Sequence, residues 1–354
     1  MTLDFGRFNP FEQWGGVDSL TDITISQGLF VGHKSPFSIM RACLELARHH
    51  ALCRRVVYSS EGFDMEKSDV TFIGLGQMGA ALVSPFLQAG LTATVWNRSP
   101  DKSAALVKSG ARMATSFEHA IAASELIIVC LADYETSNAL FHVEAIKPLL
   151  KDRTVVQFTT GNESEARLGA QWAEQFGVRY LDGAIMDYPT QVGKPECMLL
   201  VSGERDVWGN WESKLKLLGG RMTYVGEKPE AANLLDGGLL TIMYGSAFGL
   251  MQSAAMLAAE GVDIKTLKGA LDVFKPVIEA TWQRTVDLVD KQDYSGNEAS
   301  VHVHALGVRS LLKRAKHAGV EHRLLELFAG YVDEAAAKGY EKDELPAVYE
   351  VFRR

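Results

Sequence analysis

Residues 70–102 constrain this chain more than any other stretch. Val70, Thr71, Phe72 and Ile73 form an apolar run of buried-strand length that enters Gly74-Leu75-Gly76-Gln77-Met78-Gly79. A helix is expected over 78–88 with Gly90 as its stop, then a second strand over 92–96. Strand, glycine turn, helix and strand in this order make a dinucleotide-binding unit. Gly74 permits the tight turn, Gly76 lets backbone approach a pyrophosphate, and Gly79 lets the helix pack on the strand. The helix N-terminus favours the negative charge. The whole run, with Leu75, Gln77 and Met78, is therefore expected to line the cofactor.

The second strand ends at Asn97-Arg98-Ser99-Pro100-Asp101-Lys102. An NAD enzyme usually puts Asp or Glu at this place to hold the ribose hydroxyls. Here it is Asn97. A carboxylate would repel a ribose phosphate, whereas Asn97, Arg98, Ser99 and Lys102 offer an amide, a guanidinium, a hydroxyl and an ammonium. Ser99-Pro100 also reads as an N-cap followed by proline at the first helical position, which aims a second helix dipole at the same anion. NADPH is the cofactor these residues predict.

A chain of 354 residues with 47% hydrophobic content is long enough for two domains with a sizeable core. The net charge of -8 argues against a nucleic-acid surface, and no apolar run is read as long enough to span a bilayer. A small metabolite is the expected partner. Cys43, Cys53, Cys130 and Cys197 are too scattered for a zinc site or a disulfide framework, which points to a reducing cytoplasm. Residues 1–64 lack a sustained hydrophobic period and read as an extension of uncertain order, expected to be dispensable. Arg41, Arg48, Arg54 and Arg55 suggest a transit peptide, against which Asp4, Glu12, Asp18 and Asp22 count.

Further strands are expected at 126–131, 154–159, 179–181, 198–201 and 222–224, alternating with helices at 117–123, 164–176 and 207–217. This is a doubly wound parallel sheet, an N-terminal Rossmann domain over 65–229. From 230 to 261 the pattern turns helical without a proline, a run of roughly 48 Å at 1.5 Å per residue. Beyond it only helices are expected, at 264–273, 276–289, 299–318, 322–338 and 345–352. Residues 230–354 are thus a long interdomain helix and an all-helical C-terminal domain.

Five segments carry a resemblance to a known family: GLGQMG (74–79), WNRSPDK (96–102), LDGAIMDYP (181–189), SGE (202–204) and NLLDGGLLTIMYG (233–245). Over about 70–352 the chain resembles the imine reductases and reductive aminases, a branch of the β-hydroxyacid dehydrogenase superfamily related to 3-hydroxyisobutyrate dehydrogenase. The resemblance implies an NADPH-dependent oxidoreductase that transfers hydride to a C=N bond, whether of an imine taken as such or of one formed from a carbonyl and an amine. It also implies a homodimer whose helical domains exchange and whose active sites lie between the two chains.

Hydroxyacid dehydrogenases begin the long helix with a catalytic lysine, followed one turn later by an asparagine. Those places match Asp236 and Leu240 here, and their Ser-Gly-Gly segment is matched by Asp187-Tyr188-Pro189. The imine reductases often carry Asp at the position of Asp236 and an aromatic residue at that of Tyr244. Aspartate attracts a cationic iminium that lysine would repel, and burial would raise its pKa toward a value useful for proton donation. Proton donor and amine anchor both remain open for Asp236. Tyr244 lies eight residues on, roughly on the same helical face.

Gly237 and Gly238 leave the helix backbone open to close approach by the nicotinamide, a large substrate or a packing helix. The resemblance puts Thr160 beside the nicotinamide, and Met186, Phe274 and His304 on the substrate side. Leu131 and Ala132, at a strand end, are expected to line the cofactor ribose. His302 and His304 are two apart on a helix and diverge, and no metal site is expected. Two other functions share these residues: a β-hydroxyacid-type dehydrogenase acting on C=O, and an NADPH-binding subunit without turnover.

Overall fold

The structure is a computed structural model that describes residues 67–353. The expected extension over 1–64 lies outside the described residues. Every residue of β1 (Val70–Ile73) is buried. β1 pairs in parallel with β2 (Ala93–Trp96) on one side and with β4 (Leu126–Val129) on the other. β3 (Arg112–Met113), β5 (Thr154–Gln157), β6 (Arg179–Ile185), β7 (Met198–Gly203) and β8 (Arg221–Tyr224) complete an eight-stranded sheet of order β3-β2-β1-β4-β5-β6-β7-β8. The order reverses between β1 and β4, so a crevice opens there beyond the strand ends.

Helices cover both faces, which is why the central strands are continuous apolar runs. On one face Val70, Phe72 and Ile128 pack with Leu82 and Phe86 of α1 (Gln77–Gln88). α2 (Ala104–Lys108) lies at the β3 end of the chain path. On the other face Ile73, Ile127 and Val129 pack with Ile121 of α3 (Phe117–Ala123), Phe141 of α4 (Tyr134–Phe141) and Leu150 of α5 (Lys147–Leu150). Trp172 of α6 (Glu163–Phe176) joins this face, and Val207 and Trp208 of α7 (Arg205–Leu215) join the first.

The sheet departs from the expected all-parallel pattern at one pair. β6 and β7 run antiparallel, with Leu181 opposite Gly203 and Ile185 opposite Leu199. The chain returns through a 3₁₀ turn at Pro189–Gln191 where a parallel neighbour would need a crossover helix. β3 is too short to register as a period, and α4 is masked in the sequence by a segment of mixed polarity.

α8 (Ala231–Ala259), α9 (Ile264–Lys291), α10 (Val301–His317), α11 (Arg323–Ala335) and α12 (Tyr349–Phe352) make up the helical half. The expected break between 273 and 276 is absent: α9 runs through Pro276. Proline removes one hydrogen bond to the carbonyl four residues back, that of Asp272, and both residues are exposed, so water can serve that oxygen. A small separate core of Leu288, Tyr294, Val301, Val332 and Val351 holds α9 to α12 together.

α8 overturns the expectation that no segment is long and apolar enough to cross a bilayer. Its 29 residues include a window of mean hydropathy 1.3, with only 6% of that window buried. Alanines keep the hydropathy high, while glycines and alanines interrupt the run of large side chains, which conceals it. Only Ala232, Asn233 and Asp236, in its first two turns, are buried.

Candidate active site

The glycine turn matches the division of labour expected of it. Gly74 adopts φ +94°, and a Cβ there would stand 2.2 Å from the Cys130 carbonyl oxygen. A Cβ on Gly79 would stand 2.1 Å from the Gly74 oxygen, whereas one on Gly76 would meet nothing within 4 Å. Gly74 and Gly79 are thus required by the fold, and Gly76 keeps backbone open toward the crevice at the start of α1.

That crevice has a volume of about 610 Å³ and is bounded by Gly74, Gly76–Gly79, Asn97–Ser99, Lys102 and the Cys130–Asp133 strand end. It brings together most of the predicted cofactor residues. Leu75 and Thr160 are the exceptions, Leu75 being buried in the core on one side of the sheet and Thr160 lying beyond the end of β5, outside the crevice lining. Beside it lies a second cavity of about 270 Å³ between Trp96, Arg98, Pro100 and the Ala114–Phe117 segment.

Two residues at the end of β2 behave differently from expectation. The Asn97 amide is already engaged: its Oδ1 accepts from the Leu75 N–H at 3.0 Å and its Nδ2 donates to the Ser99 carbonyl at 3.1 Å. Asn97 therefore ties the glycine turn to the phosphate loop. Ser99 does not cap the following turn through its side chain, and that turn, Pro100–Ser103, is 3₁₀ and not α-helical. Arg98 and Lys102 remain the cationic residues of this loop. The fit to a 2′-phosphate is good, because Asn97 stands where a carboxylate would repel it and Arg98 and Lys102 both border the crevice.

On the far side of the crevice the Leu131 N–H donates to Thr159 Oγ1 at 2.9 Å, which fixes that strand end against β5. Thr160 follows, exposed. Asp236 sits in the second turn of α8 at 8% exposure. Burial pushes its carboxyl above the usual range, and among the described residues no hydrogen bond or ion pair holds it. Met186 packs with Ala232 and Leu239 beneath these same turns. Tyr244 is 55% exposed and stacks on Phe248 at a ring separation of 6.2 Å.

The remaining predicted residues are not gathered here. Phe274 is exposed on α9, and His304 lines a different cavity of about 540 Å³ with Pro276, Arg284 and Glu344. The ring of His302 turns away from it to Glu341, with Nδ1 3.0 Å from the carboxylate. Gly237 and Gly238 are open, with nothing within 4 Å of an added Cβ.

Sequence reasoning missed one buried cluster. Asp182 on β6 is fully buried, and its Oδ2 accepts from the hydroxyls of Tyr134 and Tyr180, each at 2.7 Å. Its Oδ1 accepts from Asn233 Nδ2 at 2.5 Å. Burial pushes Asp182 up to about 7, against the pull of these donors. Between the free value of 3.8 and about 7 the folded chain keeps a proton that the unfolded chain releases. This group therefore lowers stability as pH rises across that window. Thermal midpoints from pH 4 to 7 should decline more steeply in the wild type than in Asp182→Asn, and parallel curves would contradict the assignment.

Residues 69–226 match the NAD binding domain of 6-phosphogluconate dehydrogenase, and residues 228–354 match the C-terminal domain of NADPH-dependent reductive aminase-like proteins. An NADPH-dependent reductive aminase of Aspergillus oryzae is 29% identical over 288 residues, 80% of this chain and 97% of the relative. An imine reductase from Myxococcus stipitatus in complex with NADP+ is 33% identical, with a TM-score of 0.74 over 80% of this chain and 99% of that one. A reductive aminase from Aspergillus terreus in complex with NADPH4, cyclohexanone and allyl amine is 28% identical, with a TM-score of 0.73 over 81% of this chain and 99% of that one. With its glycine turn, its cationic loop and its long helix, the chain belongs to the imine reductase branch of the β-hydroxyacid dehydrogenase superfamily.

Proposed function

We propose that the protein is an NADPH-dependent oxidoreductase that reduces a C=N bond, taking an imine directly or a carbonyl compound together with an amine. The observation that carries this reading is Asp236, a nearly buried carboxylate without a partner among the described residues, at the position where hydroxyacid dehydrogenases have lysine. NADPH, when bound, supplies the hydride from its nicotinamide. A unit charge about 4 Å from a carboxylate gains on the order of 4 kcal/mol at an effective dielectric of 20, enough to favour a cationic iminium over a neutral carbonyl even after partial desolvation costs. Asp236 either anchors this cation or, because burial raises its pKa, holds the proton that the product amine takes up. Tyr244, on the next turns of α8, offers a phenol to the same substrate.

Arg98 and Lys102 hold the ribose phosphate in this reading, the Gly76 backbone and the α1 N-terminus hold the pyrophosphate, and Leu131, Ala132 and Thr160 line the ribose and nicotinamide end. Replacing Arg98 and Lys102 together by alanine should weaken NADPH binding by about 10²-fold or more while changing NADH binding little, since each lost charge-assisted contact is worth about 1.5–3 kcal/mol. Titration of the two cofactors against the double variant checks this. Equal losses for both would remove the loop from phosphate recognition.

We further propose a homodimer with shared sites. Eight large apolar side chains of α8 are exposed in one chain, from Leu234 to Met251, and a groove of about 600 Å³ runs between α8 and α11, lined by Phe248, Met251, Leu324 and Leu327. In this reading a second copy contributes its Phe274 and His304 to the site built around the Asp236 of its partner. We assign the Rossmann domain to 65–229 and the helical domain to 230–354, and the location to the cytoplasm, supported by the free thiols of Cys130 and Cys197. The decisive experiment is NADPH consumption with cyclic imines, with ketone plus amine and with ketone alone, alongside NADP reduction by 3-hydroxy acids. Turnover confined to the first two supports the proposal. Turnover of ketone alone or of hydroxy acids, or none at all, overturns it.

A further inference from the structure

The Asp182 cluster joins two elements that the proposed reaction must keep in register. Tyr134 is the first residue of α4, directly after Leu131, Ala132 and Asp133, which line the cofactor crevice. Its ring also lies under the end of β5: a Cβ on Gly161 would stand 2.4 Å from it, so glycine is needed next to Thr160. Asn233 belongs to the first turn of α8, three residues before Asp236 and on the same helical side. The two side chains meet on the two oxygens of one carboxylate, Asp182, in the middle of the sheet. Ser202, opposite Asp182 on β7, fixes the same turn by accepting from Ala232 N–H at 3.1 Å and donating to the Pro229 carbonyl at 2.7 Å.

We propose that Asp182 is a positioning residue, bridging the cofactor-lining loop through Tyr134 to the first turn of α8 through Asn233, and so setting where Asp236 stands relative to the bound nicotinamide. The bridge explains a costly arrangement. A buried carboxylate held by neutral donors is less favourable than an apolar core of the same shape, so stability alone does not account for it. The group is also suited to the task, since its two oxygens each accept from a different element. Tyr180 supplies a third hydrogen bond to the same carboxylate from two residues away on β6 itself; its hydroxyl also meets that of Tyr134, but among the described residues it makes no hydrogen bond to α8. It is the internal control.

The proposal rests on the imine-reduction reading, and its test separates the two. In the full-length protein, Tyr134→Phe, Asn233→Ala and Tyr180→Phe each remove one hydrogen bond to Asp182. Misplacement of a reacting group by about 1 Å costs up to 10²-fold, so the first two should lower kcat by about tenfold or more, with KM little changed and a larger kinetic isotope effect from 4-deuterated NADPH. Tyr180→Phe should stay within about threefold, at a comparable loss of thermal midpoint. Amide exchange supplies the arm that needs no turnover. NADPH should slow exchange over 231–236 in the wild type and in Tyr180→Phe, and should fail to do so in Tyr134→Phe and Asn233→Ala. The proposal is overturned if Tyr180→Phe loses kcat as the other two do, or if NADPH leaves exchange over 231–236 unchanged in the wild type. A wild type that binds NADPH and shows the exchange effect but reduces no imine would refute the reaction and leave the bridge standing.

Discussion

Asp236→Asn is expected to lower imine turnover by about 10² or more while NADPH affinity stays intact, because the change keeps size and polarity but removes both the charge and the acidic proton. Asp236→Lys should lower it further, since an attraction on the order of 4 kcal/mol becomes a repulsion of similar size. Cofactor binding should survive in both, because Asp236 lies outside the residues that line the crevice. The pH profile then separates the two roles of the carboxylate. If Asp236 anchors a cation, wild-type kcat rises as it ionises; if it donates the proton, kcat falls over the same pH range. Burial displaces that range above the ordinary carboxylate value, and the limb should vanish in Asp236→Asn. Near wild-type imine turnover in both variants would reduce Asp236 to a residue that merely suits a helix start.

The parts of this site that could be read from the sequence are those whose chemistry is local. Gly74, Gly76 and Gly79 act within six residues, and the sterics at their Cβ positions follow the spacing. The absence of a carboxylate at Asn97 was equally readable, but the use of its amide was not, because its partner, Leu75, lies 22 residues away across two strands. Asp182 illustrates the limit. Its donors come from positions 134, 180 and 233, and only the sheet order brings them to one point. In the fold, strands with a clear apolar run were found, whereas the reversal of β7 depends on the length of a connection and leaves no mark on periodicity. Pro276 misled for a related reason. A proline ends a helix when the lost hydrogen bond is buried, and here it faces water.

Met251→Glu combined with Leu327→Glu is expected to dissociate the proposed dimer and, with it, to abolish most imine reduction. Both side chains are more than half exposed in a single chain, at 62% and 51%, so the substitutions should change folding of the chain by no more than about 0.5 kcal/mol. They face each other across the groove between α8 and α11, where a second copy would have to bury four carboxylates per dimer at a cost of several kcal/mol each. Each substitution exchanges a gain of about 1.5–3 kcal/mol for that cost, and association itself costs roughly 4–15 kcal/mol, so four such exchanges per dimer weigh heavily against assembly. NADPH binding should persist, since the crevice is built within one chain. Turnover should fall about 10²-fold, because Phe274 and His304 would no longer reach the substrate at the other chain's Asp236. Sedimentation velocity and imine assays on the same preparation decide it. A monomer with full activity would show that each chain completes its own site. A variant that stays dimeric would mean that the chains meet through another surface, leaving the apolar length of α8 to a different partner.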